Sequence, residues 1–373
     1  MVVGTCELIF HLPENHSLKG KRQVSRSLVQ RIRSRFNVSV AEVADQDRWQ
    51  TLAIGVTCAS NDSRYANEVM SKIVDYVEDH NGLSAVLASL ARDDPSGVVA
   101  ALDGQLHHGR PGSPAALRQQ VGERLAIALA EQSGRVTRWI DALATASSPT
   151  ARQVACLLLA SRYPEDPIGV LRTAELLADD PHWEVREAAG GLLGSLLDRD
   201  FDRIRGRLEV LRSAKSENLR RAVVLAVKYA ARRDKPERVA DLLRLLEPLL
   251  RDPEPYVRRN LGPYTIGDAL LRVDPKETLK ALKDWSRDRD QTVRWNVAMA
   301  FSSAIGSFHW PAAKSILERL AKGPEPLVRN AVAKAMRRCR QRYTEEVEET
   351  RLRWRKDGER AATAELVGPL KKR

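Results

Sequence analysis

The chain has 373 residues, a net charge of +12 and only 5% aromatic residues. This length suits two or three folded units, and no run approaches the roughly 18 apolar residues that cross a bilayer. The first residues lack the basic segment and the cleavage site of a signal peptide. We therefore expect a cytoplasmic protein that has no membrane partner.

The four cysteines, Cys6, Cys58, Cys156 and Cys339, are far apart and form no CxxC pair, and the histidines form no HExxH motif. This pattern indicates reduced thiols and argues against a disulfide framework or a metal site. No motif calls for a cofactor, so we expect none.

The positive charge is unevenly distributed. Residues 1–80 hold ten basic and ten acidic side chains, residues 81–200 have a net charge of −4, and residues 201–373 have a net charge of +16. A strongly basic region favours a polyanionic partner, above all nucleic acid. The alternative is a well-solvated helical surface.

The first 80 residues predict the element order βαββα. Residues 2–10 predict a strand, and the helix after a Ser17 cap has the apolar stripe Val24, Leu28, Ile32 and Phe36. Two strands follow in NVSVAEVA and RWQTLAIGVTCAS, and a second helix begins after Asn61 or Asp62. This order is typical of an antiparallel sheet with helices on one face.

Four strings in this region, HLPENHSLKGKR, RFNVSVAEVADQDRWQ, IGVTCASND and VEDH, resemble the YlxP-like family of small uncharacterised bacterial proteins. The resemblance implies a bacterial source and a ferredoxin-like fold of order βαββαβ. After His80, however, NGLSAVLASLARDD predicts a helix where that family has its last strand. We therefore expect a ferredoxin-like module over residues 1–80 that lacks the closing strand.

The first predicted helix is strongly basic, and its cations include Arg22 and Arg26 on one side. Such a face could contact a phosphate backbone, or it could be a solvated face balanced by acids elsewhere in the module. RNA or ribosome association through this module is therefore one alternative function.

Residues 81–114 predict a helical linker that ends in GRPGSP. From residue 115 to residue 340 the pattern is helix, short turn, helix. An arginine near the start of every second helix recurs at intervals of 34 to 38 residues: Arg152, Arg186, Arg220, Arg258, Arg294 and Arg329. This period indicates stacked helical repeats. We therefore predict a mostly α protein: a HEAT-like α-α superhelical solenoid preceded by a small α+β ferredoxin-like module, with a charged helical cap and tail over residues 341–373.

Asp180, Asp252 and Asp288 each precede a repeat arginine by six residues. This spacing resembles HEAT repeats and predicts an Asp–Arg ladder between adjacent repeats. The other three repeats have Ala146, Ala214 and Gly323 at the aspartate position, so we expect the ladder to be incomplete.

The column one residue after each arginine varies in chemistry and is not apolar, which predicts that it faces the concave groove. It contains Gln153, Glu187, Arg221, Arg259, Trp295 and Asn330. Later turns of the same helices add Lys228, Lys334, Arg337 and Arg338. These cations predict phosphate contacts along duplex DNA, and Trp295 could stack on a base or pack between repeats.

Residues 176–305 resemble the HEAT-like DNA alkylation repair family of AlkC- and AlkD-type glycosylases, most specifically in LLEPLLRDPEPYVRRNLG. The resemblance implies excision of alkylated bases from duplex DNA, with a carboxylate that stabilises the developing sugar cation. The family's Trp-Trp-Asp segment would fall near SENLRRAV, which has neither residue. Asp268, near the predicted kink at Pro263, and Glu187 are the candidate catalytic acids. A non-catalytic HEAT scaffold for protein partners is the competing hypothesis.

Overall fold

The computed structural model describes residues 1–11, 18–79, 83–103, 106–107, 110–111, 115–130 and 133–370. The chain divides into two compact units, Met1–Glu165 (unit 1) and Asp166–Arg373 (unit 2). The predicted Ser17 cap lies outside the described residues.

Unit 1 begins with the predicted βαββα order. Its first five elements are β1 (Val2–His11), α1 (Leu18–Arg35), β2 (Ser39–Ala44), β3 (Thr51–Ser60) and α2 (Ser63–Asp79). The strands form an antiparallel sheet in the order β1-β3-β2. Asp62 caps α2 through its Oδ1 atom, which accepts a hydrogen bond from the backbone N–H of Arg64 at 2.7 Å.

The α1 stripe differs from the prediction at one position. Leu28 and Ile32 are buried in the module's core as expected, but Val24 is exposed. Lys21 lies inside in its place, and its Nζ atom is 2.8 Å from Oε1 of Glu42 on β2. A buried lysine is tolerated here because the carboxylate of Glu42 compensates for its lost hydration.

A helix follows the sheet, as predicted, and no fourth strand joins the sheet among the described residues. The remaining elements of unit 1 are α3 (Leu83–Ala91), α4 (Pro95–Asp103), the two-residue strands β4 (Leu106–His107) and β5 (Arg110–Pro111), α5 (Ala115–Leu129), α6 (Ser133–Ala144) and α7 (Pro149–Arg162).

Unit 2 consists of stacked helices, which agrees with the predicted α solenoid. In chain order they are α8 (Pro167–Ala178), α9 (Trp183–Arg199), α10 (Phe201–Leu211), α11 (Glu217–Ala230), α12 (Val239–Leu246), α13 (Pro255–Asn260), α14 (Leu271–Val273), α15 (Pro275–Trp285), α16 (Gln291–Ala300), α17 (Trp310–Leu320), α18 (Pro326–Cys339), α19 (Thr344–Arg355) and α20 (Ala361–Val367). Five helices of unit 2 carry a repeat arginine in their first turn, and we call them the second helices: α9, α11, α13, α16 and α18.

The second helices approach one another closely through small residues. A Cβ atom added at Gly190 of α9 would lie 2.7 Å from Cβ of Leu225 on α11, and one at Gly194 would lie 2.6 Å from Cβ of Tyr229. This contact fixes α9 against α11 and places Tyr229 beside Gly194, from where its hydroxyl reaches Glu187.

Residues Leu261–Leu270 between α13 and α14 form a π-helix. Pro263, which predicts a kink, lies within this segment. Gly262 and Gly267 face α16 so closely that added Cβ atoms would lie 2.7 Å from the carbonyl oxygen of Asn296 and 2.3 Å from that of Ala300. The wider π turn thus accommodates the proline while two glycines allow backbone contact.

The described part of the predicted cap and tail contains buried apolar side chains. Val347 and Trp354 of α19 and Ala364 of α20 are buried. α20 packs against α18 and α19, so this segment covers part of the apolar surface of the preceding repeat.

Candidate interaction surface

Four of the six repeat arginines hold the turns that precede their own helices. Nη1 of Arg186 donates to the carbonyl oxygens of Asp180 (2.6 Å) and Pro181 (2.8 Å). Arg152, Arg220 and Arg294 make the same pair of bonds to the carbonyls six and five residues earlier. This bond needs no aspartate, which explains why arginine recurs in repeats that have alanine at position −6.

Among the described residues, the pair Arg220–Asp252 forms a step of the predicted Asp–Arg ladder. Arg220 donates from Nε to Oδ2 of Asp252 (2.6 Å) and from Nη2 to Oδ1 (3.2 Å), and the pair raises the pKa of Arg220. Arg294 pairs with Glu325, two residues beyond Gly323, so a glutamate replaces the missing aspartate there. Asp288 instead pairs with Arg251.

One polar cluster joins three successive second helices. Nη2 of Arg221 donates to Oε2 of Glu187 at 2.6 Å, and the hydroxyl of Tyr229 donates to Oε1 at 2.8 Å. The guanidinium of Arg221 lies 4.6 Å from the ring centroid of Tyr256. With its amide turned so that Oδ1 faces Arg221, Asn260 accepts from Nε at 3.0 Å and from Nη2 at 3.1 Å. We call these five residues the Glu187 network.

The Glu187 network determines what Arg221 can contact. The residue is buried, and its donors point at a carboxylate and an amide oxygen of the protein. Lys228 lies beside the same network, with Nζ at 3.9 Å from Glu187. The acid that we selected as a catalytic candidate is therefore the structural counter-charge of the arginine selected as a phosphate ligand.

Exposed aromatic side chains flank this network. Trp183, one turn before Glu187 on α9, is 59% exposed. Tyr229, which bonds to Glu187, is 45% exposed, and Tyr264, one turn after Asn260, is 51% exposed. Tryptophan and tyrosine with accessible rings are enriched at protein interfaces, where they bury a large apolar area and keep a polar tip hydrated.

Of these three aromatic residues, sequence reasoning missed Tyr229, because it followed the arginine column. The repeat period gives no signal for it. Tyr229 lies nine residues after Arg220 and Tyr264 lies six residues after Arg258, so the two tyrosines do not occupy equivalent positions in their repeats.

The remaining predicted cations differ in how they are held. Arg259 and Lys334 are exposed. Arg337 is also exposed and donates to the carbonyl oxygen of Leu366, while Arg338 donates to Oε1 of Gln341 at 2.6 Å. Trp295 is half-buried, with the guanidinium of Arg258 at 5.7 Å from its ring centroid.

Asp268 has a backbone partner. Its Oδ1 accepts from the N–H of Ile305 at 2.9 Å, just before the short 3-10 helix Gly306–His309. This bond joins the π segment to the turn after α16. The catalytic roles of Asp268 and Glu187 stay predictions.

In unit 1, Arg22 and Arg26 of α1 are exposed. Arg33 donates to the carbonyl oxygen of Val40 at 2.6 Å, and Arg35 lies over the ring of Tyr76. Part of the basic helix therefore serves the module's own packing, and Arg22 and Arg26 are left facing solvent.

Metal sites and membrane spans are two other kinds of feature that the described residues could contain. No group of three or more His, Cys, Asp or Glu side chains there is arranged to hold a metal ion. None of the described helices is both long and apolar enough to span a membrane.

Two family models match separate parts of the chain. Residues 3–89 match a model described as a protein of unknown function (DUF503), and residues 243–337 match a model described as HEAT repeats. The uncharacterized protein YlxP of Bacillus subtilis (strain 168) is 29% identical over 73 residues, which is 20% of this chain and 77% of that protein.

Solved structures similar to the chain have low sequence identity. The X-ray structure of YibA from E. coli is 15% identical with a TM-score of 0.32, covering 69% of this chain and 88% of that one. The karyopherin Kap121p, bound to the extreme C-terminus of the phosphatase Cdc14p, is 10% identical with a TM-score of 0.43, covering 80% and 37%. In the Kap95:Nup1 complex the values are 12% and 0.39, covering 83% and 47%. The relation to the alkylation repair family stays a prediction, whereas a DUF503 segment of the YlxP type at the N-terminus and HEAT repeats toward the C-terminus are supported by the matches.

Proposed function

We propose that unit 2 is a HEAT-like scaffold that binds a protein partner across the face that bears Trp183, Tyr229 and Tyr264. One observation carries the proposal: the cation at the centre of this face, Arg221, is buried against Glu187, while aromatic rings are exposed around it. A surface that binds phosphates needs accessible cations, whereas a surface that binds protein uses aromatic anchors.

A photocrosslinker placed at position 229 or 264 tests this proposal in cells that express the chain natively. We expect adducts that a protease removes and that persist after nuclease treatment, because the partner is a polypeptide. The same crosslinker at Val210, an exposed residue of α10 and not of a second helix, should give no adduct. An adduct at 264 that nuclease removes would contradict the proposal.

Nucleic-acid binding is the second candidate, and the exposure of Arg259 and Lys334 favours it. In this candidate duplex DNA lies along the basic second helices, and Asp268 or Glu187 supplies the carboxylate for release of an alkylated base. Incubation with alkylated duplex DNA and detection of free bases tests the chemistry. Release by the parent chain that disappears in Asp268→Asn or in a folded Glu187→Gln variant would support it. A parent chain that releases no base would exclude the glycosylase activity.

A further inference from the structure

The outer edge of β1 is open in the part of the chain that the structure describes. β1 runs for ten residues and pairs with β3 without interruption from Val2↔Ser60 to His11↔Thr51. No described strand lies on its other side. The backbone N–H and C=O groups along that side are therefore an unused pairing template.

The two edges of this sheet differ in the features that discourage pairing with another strand. β2 has only six residues, and its register with β3 is broken between Glu42 and Ala44. Such shortness and irregularity discourage pairing with another chain. β1 has neither feature, and its sequence VVGTCELIFH contains no proline, lysine or arginine. The β1 edge is thus the one suited to accept a strand.

From this edge we infer that two copies of the chain pair antiparallel through β1, which joins two three-stranded sheets into one six-stranded sheet. The register that fits places Cys6 opposite Cys6 of the second copy, so that Val3 faces Ile9 and Thr5 faces Glu7. Val3 and Ile9 are 55% and 68% exposed in the single chain. The pairing covers both of these apolar side chains, and cross-strand apolar pairs stabilise a sheet.

The two neighbouring registers either bring like charges together or lose the apolar pairing of Val3 with Ile9. A shift by two residues in one direction places Glu7 opposite Glu7, and like charges directly opposite are destabilising. A shift in the other direction places Val3 opposite Glu7, and Ile9 then faces Met1, which lies outside β1. On the helix-covered face, where Cys6, Leu8 and Phe10 pack against the core, the chosen register brings only apolar side chains and cysteine together.

The association state of the full chain tests the inference by sedimentation velocity over a range of concentrations. We expect a concentration-dependent dimer. Val3→Lys and Ile9→Lys should each raise its dissociation constant about tenfold or more, because a lysine then replaces an apolar member of two symmetric pairs. Both positions are exposed, so the variants should keep the parent's circular dichroism. Val43→Lys on β2, another exposed valine on the opposite edge, is the matched control and should leave the constant unchanged.

A mixed-disulfide experiment tests the register. In a Cys6→Ser background, Val3→Cys and Ile9→Cys proteins should form a linked dimer when mixed and oxidised, and neither should do so alone. A chain that stays monomeric at all concentrations would overturn the inference. So would a dimer that is weakened by Val43→Lys only, or crosslinking that is equally strong in the separate variants.

Discussion

Arg220 connects two repeats through one side chain. Its Nη1 holds the turn before its own helix through the carbonyls of Ala214 and Lys215, and its Nε and Nη2 reach Asp252 of the next repeat. Asp252 is itself buried and accepts from the N–H of Glu254 at 2.9 Å. A single residue therefore fixes the position of two turns at once.

Removal of the carboxylate at position 252 should strongly destabilise unit 2. Asp252→Ala leaves the guanidinium of Arg220 largely buried without its counter-charge, and such a loss costs about 3–5 kcal/mol. Urea denaturation measures the change in the free energy of unfolding. Asp284→Ala, which removes the exposed partner of Arg287, should cost less than about 1 kcal/mol. Equal losses in the two variants would show that the buried pair has no special role.

The buried thiol of Cys339 should make the free energy of unfolding depend on pH. Burial raises the pKa of its thiol from 9.0 to about 12. Above pH 9 the unfolded chain releases this proton while the folded chain keeps it, so stability is present below pH 9 and is lost progressively as the pH rises toward 12. The expected loss is about 1.4 kcal/mol per pH unit within that window.

Comparison of the parent chain with Cys339→Ala isolates this contribution. The variant should start less stable, because it loses a buried side chain. Its unfolding free energy should then fall less steeply than that of the parent between pH 8 and pH 10. Parallel pH profiles for the two proteins would contradict the assignment to Cys339.

At the scale of elements, glycines decide how closely helices approach. Gly267 lies in the π segment against the carbonyl of Ala300, whereas Gly206 lies inside α10, where an added Cβ would have no atom within 4 Å apart from the local helix backbone. The same substitution by alanine should therefore have opposite effects at the two positions.

Gly267→Ala should destabilise unit 2 by about 1–3 kcal/mol, because the methyl group forces α16 and the π segment apart. Gly206→Ala should stabilise it by about 0.5–1 kcal/mol, since alanine loses less backbone entropy in a helix. Thermal unfolding of both variants provides the measurement. If Gly267→Ala left the stability of unit 2 unchanged, the π segment and α16 would have room for a methyl group between them.

The elements were predictable to the extent that they depend on local pattern. The arginine period predicted the stacked helices, and the βαββα order of residues 1–80 followed from alternation and helical spacing. The stripe of α1 was wrong at Val24 because spacing alone cannot tell which of two neighbouring faces turns inward. That choice depends on Glu42, a partner on another strand that accepts Lys21.

The surface of unit 2 was harder to predict, for a related reason. Glu187 and Arg221 were assigned to the groove because both stand one residue after a repeat arginine. Equivalent positions in consecutive repeats are also spatial neighbours, so opposite charges there can pair with each other, as these two do at 2.6 Å. The π-helix likewise depends on the packing of Gly262 and Gly267 against α16, and no local pattern indicates it.

At the scale of the whole molecule, the net charge overstates the number of cations that are accessible to a phosphate. Residues 201–373 have a net charge of +16, yet the structure commits several cations of the second helices to protein acceptors. Arg221 pairs with Glu187, Arg294 with Glu325, and Arg338 with Gln341. Cations held in this way release few counterions on binding DNA, and counterion release supplies most of non-specific affinity.

Duplex DNA binding by the full chain should therefore be weak and strongly weakened by salt, and only exposed cations should contribute. Arg259→Ala and Lys334→Ala should each reduce the slope of log K against log salt by about 0.9, the value for one phosphate contact. Arg221→Ala should leave that slope unchanged although it lowers stability, because the buried guanidinium of Arg221 bonds to Glu187 and Asn260. Fluorescence anisotropy with a labelled duplex between about 50 and 200 mM salt spans the range in which such contacts are lost. A slope that falls with Arg221→Ala in a folded protein would mean that the Glu187 network opens to receive a phosphate, and the nucleic-acid candidate would then be preferred over the protein scaffold.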